Sequence, residues 1–124
     1  LRTTPGIGVV LGSTILLETG EITRFGSVGE YASYCRMVES TRLSNGKVKG
    51  RGNAKCGNRY LSWAWIEAAN FAIRFSPEIR RWFDRKASKK PRAVAIKSVA
   101  HKLAHAGYHL IKDGGDFDVK RAFG

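Results

Sequence analysis

From Tyr60 to Phe75, apolar side chains recur at helical spacing around most of a cylinder. Leu61, Ala64, Trp65, Ala68, Ala72 and Phe75 form one stripe, and Glu67, Asn70 and Arg74 a narrow polar one. A helix that is apolar over most of its circumference must be covered on several sides, which makes it the centre of its domain. The remaining elements have to be arranged around it.

The flanking signals are also helical. Val9, Val10, Leu11, Ile15, Leu16 and Leu17 follow a near-helical spacing that ends at Gly20, a C′ glycine. Ser27, with Glu30 at the third helical position, is a capping-box pattern and predicts a short helix over Val28–Tyr34. Ser76-Pro77 restarts the chain, with Ser76 as N-cap and Pro77 at the first helical position. Ile79, Trp82 and Phe83 can pack there, while Arg80, Arg81 and Arg85 are cationic. A last helix is predicted from about Arg92 to Lys112, burying Ile96, Val99, Leu103, Ala106 and Leu110, and stopping at Gly114-Gly115. Residues 113–124 read as a poorly ordered tail.

There is no internal repeat and no alternating strand series. The fold class expected is mostly α, one compact helical domain over residues 1–124 with a basic glycine-rich loop between helices. A hydrophobic fraction of 43% can sustain its core. The apolar stretch Ile7–Leu17 is too short to span a bilayer, and no small-x-small cleavage site follows Arg2. Leu1-Arg2-Thr3-Thr4 reads like the interior of a longer protein, so a fragment is expected.

That loop lies between Arg36 and Gly57, with a short β-hairpin expected around Asn45-Gly46. Lys47, Lys49, Arg51, Lys55 and Arg59 face no carboxylate between Ser44 and Asn58. Glycines among them let the main chain approach a ligand closely. A cationic, backbone-exposed loop suits phosphate, and the formal charge of +12 would draw polyanions to it. Ser44, at the head of the loop, is a candidate nucleophile toward phosphorus, with Arg42, Lys47, Lys49 and Arg51 near enough to stabilise developing charge. No histidine or carboxylate adjoins it as a general base. Ser44 also suits the opening of a plain Ser-Asn-Gly turn.

Pro5-Gly6-Ile7-Gly8 ahead of a helix is a second phosphate-binding shape, since unpaired N–H groups and the positive dipole end follow it. It is similar to the hairpin of a helix-hairpin-helix DNA-binding motif, of which it forms half; an ordinary turn opening a helix is the other reading. The run Arg80, Arg81, Arg85, Lys86, Lys89, Lys90 and Arg92 is a further surface for nucleic-acid backbone, or a solvated helix face. His101, His105 and His109 are read as a polar helix face rather than a zinc site, because their span is long for one ion. Asp113, Asp116 and Asp118 lack a calcium-loop pattern. Trp63, Trp65 and Trp82 are read as core or interface. Cys35 and Cys56 form no metal spacing and fit a reduced, cytoplasmic setting.

Taken in order, these elements resemble the C-terminal domain of transposases of the insertion-sequence one-ten family (Piv/MooV type, DEDD transposases). The matching residues are Pro5–Gly8, Arg24-Phe25, Tyr31-Ala32-Ser33-Tyr34-Cys35, Ser44-Asn45-Gly46-Lys47 and Lys55-Cys56-Gly57-Asn58-Arg59-Tyr60-Leu61. The long alanine-rich helix and Ala100-His101-Lys102-Leu103-Ala104 complete the pattern, which covers roughly Pro5 to Asp113. The resemblance implies an RNA-guided DNA recombinase acting as an oligomer, with a bridge RNA as guide. It implies an N-terminal RuvC-like domain, absent here, that carries the acidic residues and binds Mg²⁺; no cofactor is expected in this chain. It implies a serine that becomes covalently joined to DNA, a position Ser44 matches, with Ser40 as the fallback. The chain departs from the pattern at Arg36-Met37-Val38-Glu39, where many members carry Gly-Leu-x-Pro.

The expectation is therefore a helical transposase domain, catalytically silent alone, working in the bacterial cytoplasm at the nucleoid and touching no membrane. Nucleic-acid contacts are expected from Gly6, Ile7, Gly8, Arg42, Lys47, Lys49, Arg51, Lys55 and Arg59. Two alternatives stand beside it: a non-catalytic helix-hairpin-helix module of repair or recombination type, and an RNA-binding scaffold.

Overall fold

The computed structural model describes Thr4, residues 6–36 and residues 57–123. Its helices are α1 (Val9–Thr19), α2 (Val28–Tyr34), α3 (Arg59–Phe75), α4 (Pro77–Ala87), α5 (Arg92–Asp113) and α6 (Val119–Phe123), with one 3₁₀ turn at Ile22–Arg24. The described residues contain no β-strand. The loop and hairpin expected between Arg36 and Gly57 fall on residues 37–56, outside the described residues.

Local signals set the helix ends. Ser27 Oγ accepts the Glu30 N–H at 3.2 Å. Glu30 returns its carboxylate to the N–H of Gly26 at 2.9 Å, one residue ahead of the usual capping-box partner. Ser76 Oγ accepts from Ile79 N at 3.3 Å, with Pro77 in the first turn of α4. α1 closes on Gly20 and α5 on Gly114, both at positive φ.

α3 is the central helix and packs against α1, α4 and α5. Leu61, Ala64, Trp65, Ala68, Ala69, Ala72 and Ile73 are buried along it. Two glycines let other elements approach it closely. Gly107 of α5 faces the Trp65 indole, where a Cβ would stand 2.7 Å from Cζ2. Gly6, at φ +91°, lies against the α3 backbone, where a Cβ would overlap the Ala68 carbonyl oxygen. Only glycine meets both demands at that position. Ile7 then inserts into the core while the N–H of Ile7 bonds back to Thr4 O at 3.1 Å.

The core also holds a polar pair. Thr19 Oγ1 and Tyr31 Oη lie 2.8 Å apart and are fully buried, so neither hydroxyl is left without a partner. Burial pushes the Tyr31 hydroxyl pKa up, and that of the neighbouring Cys35 thiol up to about 12. Cys35 is thus an inert core residue rather than a reactive thiol.

Three expectations need correction. Phe75 does not continue the buried stripe: it is 70% exposed and stacks on Phe71 at 6.3 Å. The chain turns at Ser76, and the residues covered at that end are Ala72, Ile73 and Ser76 itself. On α5, Val99 and Leu103 are buried as expected, but Ile96, Ala106 and Leu110 are only half-buried. The buried face is rotated toward Ala95, Ala100, Ala104 and Gly107, since small residues admit the closest approach of α3. Finally, the tail is not featureless. Asp118 caps α6 by accepting from Lys120 N at 3.0 Å, and Phe123 is buried edge-on against Trp82, with ring centroids 5.3 Å apart.

Candidate nucleic-acid interface

The described chain stops at Arg36 and resumes at Gly57, and these two residues meet. A Cβ on Gly57 would stand 2.7 Å from Arg36 Nε. The N–H of Asn58 donates to Tyr34 O at 2.7 Å, which ties the two sides of the stem. Arg36 takes the left-handed conformation at φ +61°, uncommon for a non-glycine residue, and turns the chain out of α2.

Asn58 holds this stem to the helices. Its Oδ1 accepts from Tyr60 N at 2.8 Å and Leu61 N at 2.9 Å, capping α3. Its Nδ2 donates to Glu18 Oε1 of α1 at 2.9 Å and reaches Tyr34 Oη of α2 at 3.4 Å. Arg24 completes the cluster. Its guanidinium donates to Thr19 O through Nε at 3.1 Å and Nη2 at 2.9 Å, and lies 4.6 Å from the Phe25 ring centroid and 4.7 Å from that of Tyr34. Hydrogen bonding by Arg24 first, then by Asn58, lowers the Tyr34 hydroxyl below the ordinary tyrosine pKa. Arg24-Phe25, Tyr31–Cys35 and Gly57–Leu61, scattered along the sequence, thus converge on one stem. Apolar periodicity assigns Asn58 no structural role; an asparagine directly before an apolar helical run is the N-cap signal that finds it.

The sequence-derived site residues divide sharply. Ser44, Ser40, Arg42, Lys47, Lys49, Arg51 and Lys55 lie outside the described residues. Arg59 is exposed at the first position of α3, its guanidinium 5.3 Å from the Tyr60 ring centroid. Gly8 is the exposed N-cap of α1, and no side chain caps that helix, so its first amides have no side-chain acceptor. The Ile7 side chain is buried and its N–H is taken by Thr4 O, so neither is open to a phosphate. Gly6 packs against α3. Pro5 lies outside the described residues, so of the expected hairpin Pro5–Gly8 the structure describes Gly6, Ile7 and Gly8 alone.

A second basic surface is fully described. Arg81, Arg85, Lys89, Lys90 and Arg92 are exposed on α4, its C-terminus and the start of α5. Arg80 pairs with Asp84 at 3.1 Å, but both side chains are 57% exposed, and such a pair neutralises little. Arg81, Arg85, Lys89 and Lys90 have no ion-pair partner among the described residues. An unneutralised cationic ridge of this kind suits a phosphate backbone. Among the described residues no group of three or more His, Cys, Asp or Glu is placed to hold a metal ion, and no helix is long and apolar enough to cross a membrane.

Comparison with known proteins gives this surface a context. The insertion element IS110 uncharacterized 43.6 kDa protein of Streptomyces coelicolor is 25% identical over 125 residues, covering 100% of this chain and 31% of its own length. The insertion element IS900 uncharacterized 42 kDa protein of Mycobacterium paratuberculosis is 30% identical over 114 residues, covering 88% of this chain and 28% of its own length. The chain therefore spans about a third of these relatives. No solved structure matches it. The family model described as transposase, IS116/IS110/IS902 family, matches residues 1–84, which include α1 to α3, the stem and most of α4, and the chain belongs to that family.

Proposed function

We propose that this chain supplies the DNA-contacting surface and the nucleophilic hydroxyl of an insertion-sequence transposase. Ser44 is assigned the attack on phosphorus, with Ser40 as the fallback. The Oγ–P bond forms as the bond from phosphorus to the leaving sugar oxygen breaks, and the hydroxyl proton passes through solvent water to that oxygen, joining the strand to the protein. Arg42, Lys47, Lys49, Arg51 and Lys55 are assigned to the phosphates flanking that bond, with Arg59 at the downstream end of the loop.

The observation that carries this reading is the stem. Arg36 and Gly57 adjoin, and Asn58 fastens the point of closure to α1, α2 and α3. The segment holding the serine and its cations therefore leaves and re-enters the fold at one rigid place. Catalysis by positioning needs such a mount, because small displacements of a nucleophile are costly in rate.

The Mg²⁺ implied by the resemblance is assigned to the RuvC-like domain, outside this chain. A bridge RNA and a second subunit complete the proposed assembly. The α4 ridge offers cations beyond those of the loop, and exposed apolar side chains such as Leu17 of α1 and Phe75 of α3 offer surface for further protein.

The test uses the full-length transposase with its donor and target DNA. Ser44→Ala is expected to abolish the covalent protein–DNA adduct and strand exchange while DNA affinity stays within about twofold of the parent. Recombination that survives in Ser44→Ala, and is lost in Ser40→Ala, would move the nucleophile to residue 40. Survival in both would remove serine chemistry from this chain.

A further inference from the structure

A cleft of about 730 Å³ opens between α4, α5 and the segment leading into α6. The volume is of the size that takes a small ligand or a single nucleotide. Lys86, Lys102 and Arg121 line it together with Trp82, His101 and His105. Trp82 is fixed edge-on by Phe123 and carries both lysines: the ammonium of Lys86 lies 5.3 Å, and that of Lys102 5.5 Å, from its ring. A cation resting on an indole has no counter-charge beside it, whereas the field of one paired with a carboxylate is offset by its partner. These lysines are thus held in place and still available to an anion.

The histidines add the second half of a site. Nε2 of His101 is buried and has no hydrogen-bond partner, a costly state for a polar atom. The ring packs edge-to-face on His105 at 4.5 Å, which makes an aromatic wall. Burial, then His105, Lys102 and Lys97, lower the His101 pKa, so the ring is neutral near pH 7. Asp113, Asp116 and Asp118 line the same cleft, with Asp113 about three turns along α5 from Lys102. Carboxylates there disfavour a bare phosphate but accept hydrogen bonds from the amino edge of a base.

We propose that this cleft holds a single unpaired nucleotide, its phosphate on Lys86 and Lys102 and its base against the histidine wall, with a turn of the His101 ring bringing its buried Nε2 to the base edge. The inference rests on the nucleic-acid reading above and adds to it a pocket for one extruded base. Placing an unpaired base costs less than extruding a paired one, so bulged or single-stranded sites are the preferred partners.

The 124-residue chain is titrated by fluorescence anisotropy against a duplex with one unpaired adenine, cytosine, guanine or thymine, the same duplex with an abasic residue there, and the fully paired duplex. At least one base is expected to bind about tenfold tighter than the abasic form, the scale of one stacked base. His101→Phe keeps an aromatic ring and removes the nitrogens. It is expected to erase that preference and leave affinity for the paired duplex unchanged. Lys102→Ala, on a half-buried side chain, is expected to erase it too and guards against a folding defect in the first variant. Equal binding of all bulges and the abasic duplex would overturn the cleft site alone, provided that the paired duplex still binds. So would a preference that survives both variants. Failure to bind any of the duplexes would overturn the nucleic-acid reading itself.

Discussion

The side-chain amide of Asn58 donates to Glu18 Oε1 across 2.9 Å while its own oxygen caps α3. One side chain therefore uses both ends of its amide, joining the start of the central helix to the end of α1. Asn58→Asp keeps the capping oxygen and sets a carboxylate against Glu18. The variant is expected to lose about 1–2 kcal/mol of stability near pH 7 in urea denaturation. Adding Glu18→Gln should restore most of it. A double variant no more stable than Asn58→Asp would show that the Glu18 contact is not the cause.

Two helical glycines should respond to alanine in opposite ways. A Cβ on Gly107 would stand 2.7 Å from Trp65 Cζ2, inside a packed core, and Gly107→Ala is expected to cost about 1–3 kcal/mol. The nearest neighbour of a Cβ on Gly12 is Ile7 Cγ2 at an ordinary 3.5 Å. Gly12→Ala should therefore add roughly 0.5–1 kcal/mol through lower chain entropy and better helix propensity. Thermal melts of both variants decide the matter, and a Gly107→Ala protein as stable as the parent would mean that the indole can move aside.

Removing cations from the α4 ridge should change salt dependence more than specificity. Arg85→Ala, Lys89→Ala and Lys90→Ala together are expected to flatten the slope of log K against log salt on duplex DNA, by about 0.9 for each phosphate that is no longer neutralised. An unchanged slope would move the binding face elsewhere, toward the loop and Arg59.

Helices α1 to α5 were legible because their ends are announced by short-range chemistry, whereas the short α6 was read as tail. Ser27 with Glu30, Ser76 with Pro77, and Gly20 and Gly114 mark ends that depend on only a few neighbouring residues. What was not legible depends on partners far away in the chain. Phe75 looks like a core residue by spacing, but the chain turns directly after it. The buried face of α5 is set by how closely Ala100, Ala104 and Gly107 admit α3, which apolar periodicity alone underweights. The stem was present in the sequence as separate motifs. That Arg24, Tyr34 and Asn58 close on one point is a property of the tertiary fold.

Acidification should destabilise the fold through its histidines. Burial lowers the pKa of His101 and of His105, helped by His105, Lys102 and Lys97 for the first and by His109 and Lys102 for the second. With folded values below the unfolded value near 6.5, the unfolded chain binds more protons in the window just under that pH. Stability contributed by these rings is thus present above about pH 6.5 and is lost as the pH falls through the folded values. Melting temperatures measured between pH 7.5 and 5.5 should fall with acid, and His101→Phe should flatten the fall. A curve of unchanged steepness in that variant would assign the effect to other groups.

Phe123 decides whether the end of the chain belongs to the fold. It is buried against Trp82, whose ring also carries Lys86 and Lys102, so α6 and the cationic wall of the cleft share one aromatic support. Phe123→Ala removes the edge contact and opens a cavity beside the indole, at an expected cost of about 3 kcal/mol. Amide exchange over 119–123 should lose its protection, and Trp82 should become more accessible to a fluorescence quencher. If exchange there is already fast in the parent and the variant is equally stable, α6 is not docked. Loss of docking with an intact melting transition for α3 and α5 would instead mark α6 as a separable flap over the cleft.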